Sequence, residues 1–212
     1  MIRESYLAAA QAAADLLAHP AVAKAWDEPS ALAGYTVGGL AGHLAGQVNV
    51  VAKVLDGPDL DPGTEPVAAL DHLLNARWLN AEPDGEVHLT IRASGAQYAQ
   101  VGPKMLAEQT AEVLDRLRRD LPGQPERRLV RFPWGPPALL LDDLLLNRMM
   151  EIVVHLDDLA VSVAVPTPEV PVAATDAVIG LLAQLAARKH GPVALIRALS
   201  RVERAPGSIA AF

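Results

Sequence analysis

Residues 147–158 read N-R-M-M-E-I-V-V-H-L-D-D. Coiled into a helix, they place Glu151 and His155 four apart on one face, with Arg148 three before the first and Asp158 three after the second. The same face carries Leu141, Leu144, Leu145, Ile152 and Leu159. The side that should enter a core therefore also holds four ionisable groups. Burying such groups without partners is costly, and a bound divalent cation is one arrangement that compensates them. Imidazole nitrogen and carboxylate oxygen suit zinc and similar ions, and catalytic centres commonly use three protein ligands and leave a position open. Glu151 and His155 supply two. His43 is the best candidate for the third, because it is the His that stands in the middle of a strongly apolar helical stretch.

Each of these residues also has a plainer reading. A Glu and a His four apart make a helix-surface pair worth a few tenths of a kcal/mol, and on spacing alone that reading wins; burial of the stripe is what favours the cation. A lone His on an apolar face is often a satisfied core residue. Arg148 suits a substrate carboxylate or pairs structurally with Glu151 or Asp158, and the structural pairing is preferred. Asp158 either accepts a hydrogen bond from a ligand imidazole or is a solvated charge beside Asp157. His19, His72 and His88 read as surface residues, and His190 as a helix C-terminal His before Gly191. Trp26 and Trp134 read as core packing, with a pocket lining as the alternative.

The elements that must position these side chains are helical. Residues 2–19 repeat apolar positions at helical spacing, ended or kinked by Pro20, and residues 26–35 form a loop. Thr36 is an N-cap for a helix over 37–55, in which Gly38, Gly39, Gly42 and Gly46 let a neighbour come close. A short helix over 67–79 precedes a longer one over 88–121, which the Gly102–Pro103 pair kinks or divides. Residues 127–132 form a short strand or extended arm, and Pro133-Trp-Gly-Pro-Pro a rigid turn into the uninterrupted apolar run 139–165. A linker at 165–172 leads to helices over 176–189 and 193–201. The expected architecture is all-α: four main helices with a long crossover connection and additional C-terminal helices, and no pattern that requires a sheet. Residues 1–165 are expected to form the bundle, and 166–212 a helical extension packed on the same domain.

Composition fits that architecture. The chain has 212 residues, 51% apolar and 4% aromatic, which favours helix packing over a sheet protein. A net charge of −7 argues against nucleic acid or an anionic membrane as the main partner. The absence of Cys removes disulfides, thiolate metal sites and a protein thiol nucleophile. No secretory signal or membrane-spanning run is visible, so a cytoplasmic location is expected. The apolar end, residues 209–212, is free to dock on this chain or on a second copy in a homodimer.

Two segments resemble a known family. W-D-E-P-S-A-L-A-G-Y-T-V-G-G-L-A-G-H-L at 26–44 and R-M-M-E-I-V-V-H-L-D-D-L-A at 148–160 are similar to the two motifs of the mycothiol-dependent maleylpyruvate isomerases, which belong to the DinB-like metal enzymes. The ending R-A-L-S-R-V-E-R-A-P-G-S-I-A-A-F is similar to tails of shorter members. Tyr35 stands where the family usually has Trp, and the chain is too short for a full copy of the isomerase's C-terminal domain. The resemblance implies a DinB-like four-helix bundle with His43, Glu151 and His155 as ligands of a divalent metal, zinc before nickel, iron or manganese. It implies mycothiol as a low-molecular-weight thiol cosubstrate and an electrophilic small molecule as substrate. The thiol would add to an activated double bond, allow rotation and leave, or stay attached in an S-transferase. A DinB-like hydrolase using water, and a non-catalytic metal-binding or regulatory protein, are the alternatives.

Overall fold

The computed structural model describes residues 2–61 and 63–212. Helices α1 (Ile2–Leu17), α3 (Val37–Leu55), α6 (Pro103–Asp120) and α7 (Leu141–Ser162) form a closed four-helix bundle in which α1 and α3 each touch both α6 and α7. Each turns an apolar stripe inward. Tyr6, Ala9, Ala10, Ala13, Leu16 and Leu17 of α1, and Leu40, Leu44, Val48 and Val51 of α3, are buried together with Leu106, Leu114 and Leu117 of α6. From α7 come Leu144, Leu145, Ile152 and Leu159. The Ala-rich face of α1 costs little side-chain entropy to bury.

The crossover from α3 to α6 carries α4 (Ala69–Leu74), a 3-10 turn (Arg77–Asn80) and α5 (Glu86–Ala99). The stretches expected as helices at 67–79 and 88–121 are thus each divided. In the second, Gly102 takes φ 81° as the N-cap residue and Pro103 opens α6, so the chain leaves one helix and starts another. Helix α5 lies along α3. Gly42 and Gly95 make this approach: a Cβ at Gly42 would stand 2.1 Å from the Gly95 carbonyl oxygen, and one at Gly95 2.5 Å from that of Gly39.

Two features go beyond the expected pattern. Residues 20–24 form a short helix, α2 (Pro20–Lys24), because Pro20 sits at its first turn and His19 caps it by accepting from the Ala21 N–H at 3.2 Å. A sheet also exists, an antiparallel hairpin of β1 (Leu129–Phe132) and β2 (Gly135–Leu140). Its ladder turns on Gly135 at φ 113°, and Pro136 and Pro137 sit next to that turn. The hairpin delivers the chain straight into α7, whose Leu141 N–H bonds the Arg128 carbonyl at 2.8 Å.

Helix α8 (Val172–His190) starts earlier than its periodicity suggested and packs on α7, α1 and α4 through Ala174, Val178, Leu181 and Leu185. It ends at His190 before Gly191, as expected. Helix α9 (Pro192–Ser200) follows, and the tail folds back: His190 Nε2 lies 2.8 Å from the Ala210 carbonyl, and the Phe212 ring meets Trp78 edge-on at 5.4 Å. No described helix is long and apolar enough to cross a membrane.

Candidate metal centre

The residues nominated from sequence come from two helices more than a hundred positions apart. Thr36 caps α3, its Oγ1 accepting from the Gly39 N–H at 3.0 Å. Two turns on, His43 faces α7 across the bundle with its side chain 14% exposed. On α7, Glu151 and His155 are each 13% exposed and meet it there. One carboxylate oxygen, Glu151 Oε2, lies 3.6 Å from His43 Nε2 and 3.4 Å from His155 Nε2. The imidazole rings of His43 and His155 stand edge to face, centroids 4.7 Å apart. The three side chains offer ligand atoms all within 4.8 Å of one another.

These spacings are long for hydrogen bonds but ordinary for atoms that share a cation. Bonds of about 2.0–2.1 Å at tetrahedral angles put neighbouring ligand atoms about 3.4 Å apart. Two nitrogens and one oxygen grouped in this way fit a divalent ion.

The surroundings hold these three side chains in place. Asp158 Oδ2 lies 2.9 Å from His155 Nδ1, which orients that ring and leaves Nε2 towards Glu151. On the other side Gln47, one turn after His43, places its amide nitrogen 3.3 Å from His43 Nε2 and donates to the His43 carbonyl at 3.1 Å. Arg148 donates to Gln47 Oε1 at 2.6 Å and rests its guanidinium over the Phe132 ring, 5.0 Å from the centroid. The expected pairing of Arg148 with Glu151 or Asp158 is therefore replaced by a bond to Gln47. From α7 the guanidinium reaches across to α3, where the carboxamide oxygen offers an in-line acceptor. Its Nε is buried without a hydrogen-bond partner among the described residues.

Charge is balanced accordingly. Burial disfavours ionised Glu151, yet the two imidazoles and Arg148 hold its carboxyl well below the usual range. Burial also opposes a charge on His155, but Asp158 and Glu151 outweigh it and raise the imidazole to about 9. His43 goes the other way, lowered mainly by burial.

His72 is not a surface residue. It is half-buried, with Nδ1 3.0 Å from the Asn147 amide nitrogen and its ring 5.2 Å from that of Phe132. Asp143 at the start of α7 accepts from the Ala69 N–H at 3.3 Å and so supplies the cap that Ala68 lacks, drawing α4 and His72 inward. Trp134 is 67% exposed and stacks on Phe132 at 4.5 Å, so it is not core. Trp26 packs on the core at Gly38, where a Cβ would stand 2.7 Å from the indole. Gln47 was missed by reading the sequence. The available signal was a polar residue four after His43 in an otherwise apolar helix.

The mostly helical four-helix bundle is of the DinB-like class. The model of the mycothiol maleylpyruvate isomerase N-terminal domain matches residues 6–160, and the chain belongs to that family. The matched span contains His43, Gln47, Arg148, Glu151, His155 and Asp158, and α8 and α9 lie beyond it. Searches of curated proteins and of solved structures return no match.

Proposed function

We propose that this chain is a metal-dependent enzyme that uses a low-molecular-weight thiol, mycothiol by its family, to isomerise or S-conjugate an electrophilic small molecule. His43, Glu151 and His155 hold the divalent cation, zinc before nickel, iron or manganese. The observation that carries this reading is the convergence of two imidazole nitrogens on one buried carboxylate oxygen, in a chain of this family. A cation there supplies an open position in which a thiol or water loses its proton more easily.

The chain's own residues do the rest. Asp158 selects the His155 tautomer, and Glu151 stays ionised next to Arg148. In this reading residues 1–165 form the reacting bundle, residues 166–212 are an extension packed on it, and the protein works in the cytoplasm.

The test is elemental analysis of purified protein, followed by turnover of a conjugated electrophile with and without thiol. One metal per chain, lost in His43→Ala, together with thiol-dependent turnover, is the expected result. Turnover without thiol would move the assignment to a hydrolase. Wild-type protein that binds no divalent ion would end the enzymatic reading.

A further inference from the structure

Gln47 is 5% exposed, and its carboxamide orientation is decided by chemistry. Arg148 has only donors to offer, and its Nη1 lies 2.6 Å from one end of that carboxamide. The end facing Arg148 must therefore be the oxygen, and the NH2 must face the three-residue cluster. One N–H of that NH2 bonds the His43 carbonyl at 3.1 Å, while the nitrogen also stands 3.3 Å from His43 Nε2. The second N–H is thereby left on the side of this ring nitrogen, which can accept it when its lone pair is free. A cation that takes the Nε2 lone pair removes that acceptor and leaves a buried donor aimed at the cation's surroundings. A buried donor without a partner is costly, so the site then favours an exchangeable ligand that can accept a hydrogen bond.

We propose that Gln47 is the donor that receives the exchangeable ligand: its inward N–H, oriented by Arg148, bonds the anionic sulfur, oxygen or nitrogen atom that takes the open position beside His43, Glu151 and His155. This rests on the metal reading above and adds a selective element to it. Gln47 touches the ligand. Arg148 is a positioning residue that acts through Gln47. The class of ligand is a small anion or a thiol that binds deprotonated, in preference to a neutral donor with no lone pair left over.

Cobalt-loaded full-length protein tests this without any turnover assay. Cobalt stoichiometry is measured first, then azide and 2-mercaptoethanol are titrated while the visible and charge-transfer bands are followed. Gln47→Met should keep one cobalt per chain and weaken azide and thiol binding about tenfold or more, the usual loss for one hydrogen bond to a charged acceptor. Gln47→Glu, which keeps the Arg148 partner, should hold cobalt more tightly and azide more weakly than wild type. Arg148→Met should weaken azide like Gln47→Met, and the double variant should be no worse than either, because both remove one interaction. Azide affinity within twofold of wild type in cobalt-loaded Gln47→Met and Gln47→Glu overturns the proposal while leaving the metal reading intact. Wild-type protein that takes up no cobalt overturns both.

Discussion

Asp158 sets how His155 presents itself. The imidazole bonds Asp158 and faces the Glu151 carboxylate, and with no cation bound these two hold it at about 9, well above the ~6.5 of a free imidazole. A folded value raised in this way contributes stability that is complete below about pH 6.5 and fades as pH climbs towards 9. Ion binding runs in the opposite sense, because the cation must displace that proton. Apparent affinity should rise about tenfold per pH unit up to about pH 9 and then level off, as read by competition with a chromogenic chelator. A flat profile would contradict the charge balance drawn for the site. Asp158→Asn removes one of the groups that raise His155, so levelling should begin at lower pH, with plateau affinity reduced about 10–100-fold. The Glu151, His155 and Asp158 relationship was readable from sequence because i, i+3 and i+4 positions on a helix have a fixed geometry. The Arg148–Gln47 bond was not, since it joins residues 101 apart and depends on how closely α3 and α7 approach.

At the scale of elements, His43 is held in place by the α3–α5 contact. A methyl at position 95 would fall 2.5 Å from the Gly39 carbonyl oxygen and 3.2 Å from His43 Cβ. The obstacle is backbone, so the helices must separate. Gly95→Ala should cost about 1–3 kcal/mol in urea denaturation and also weaken ion binding, because His43 moves with α3. Gly180→Ala is the control: nothing lies within 4 Å of that position, and the change should be neutral or stabilise by up to ~1 kcal/mol. Equal losses in both variants would refute the close-approach argument. The glycines of α3 suggested such a neighbour, and the division at Gly102 and Pro103 was one of the two outcomes expected there, but which of the resulting helices would lie on α3 was not legible. The hairpin was less legible still. The Gly-Pro-Pro opening of β2 argues against a strand, and only pairing with Leu129–Phe132 makes it one. His72 was misread for a related reason, since a cap supplied from α7 draws it inward.

At the scale of the molecule, the bundle has a guyed start. Arg3 donates to Asp142 at 2.9 Å, to the Gln124 carbonyl at 2.6 Å and to the Pro125 carbonyl at 2.9 Å, tying α1 to the chain after α6 and to the start of α7. The guanidinium satisfies several acceptors in one fork. Arg3→Ala should lower the thermal midpoint by a few degrees, equivalent to about 1–2 kcal/mol, and leave ion stoichiometry unchanged; an altered stoichiometry would show that this end of the bundle communicates with the cluster. Four main helices and their crossover were legible in the apolar periodicity, because each helix must bury one stripe whatever its partner.

His43 and His155 bracket more than half of the chain, including all of α5 and α6. In the proposed function a single ion gripping both ends of that span would act as a removable clasp on a very long loop, and its release would restore freedom to everything between. Chelation should therefore quicken amide exchange in α5 and α6, which contribute no ligand atom, as well as beside the ligands themselves.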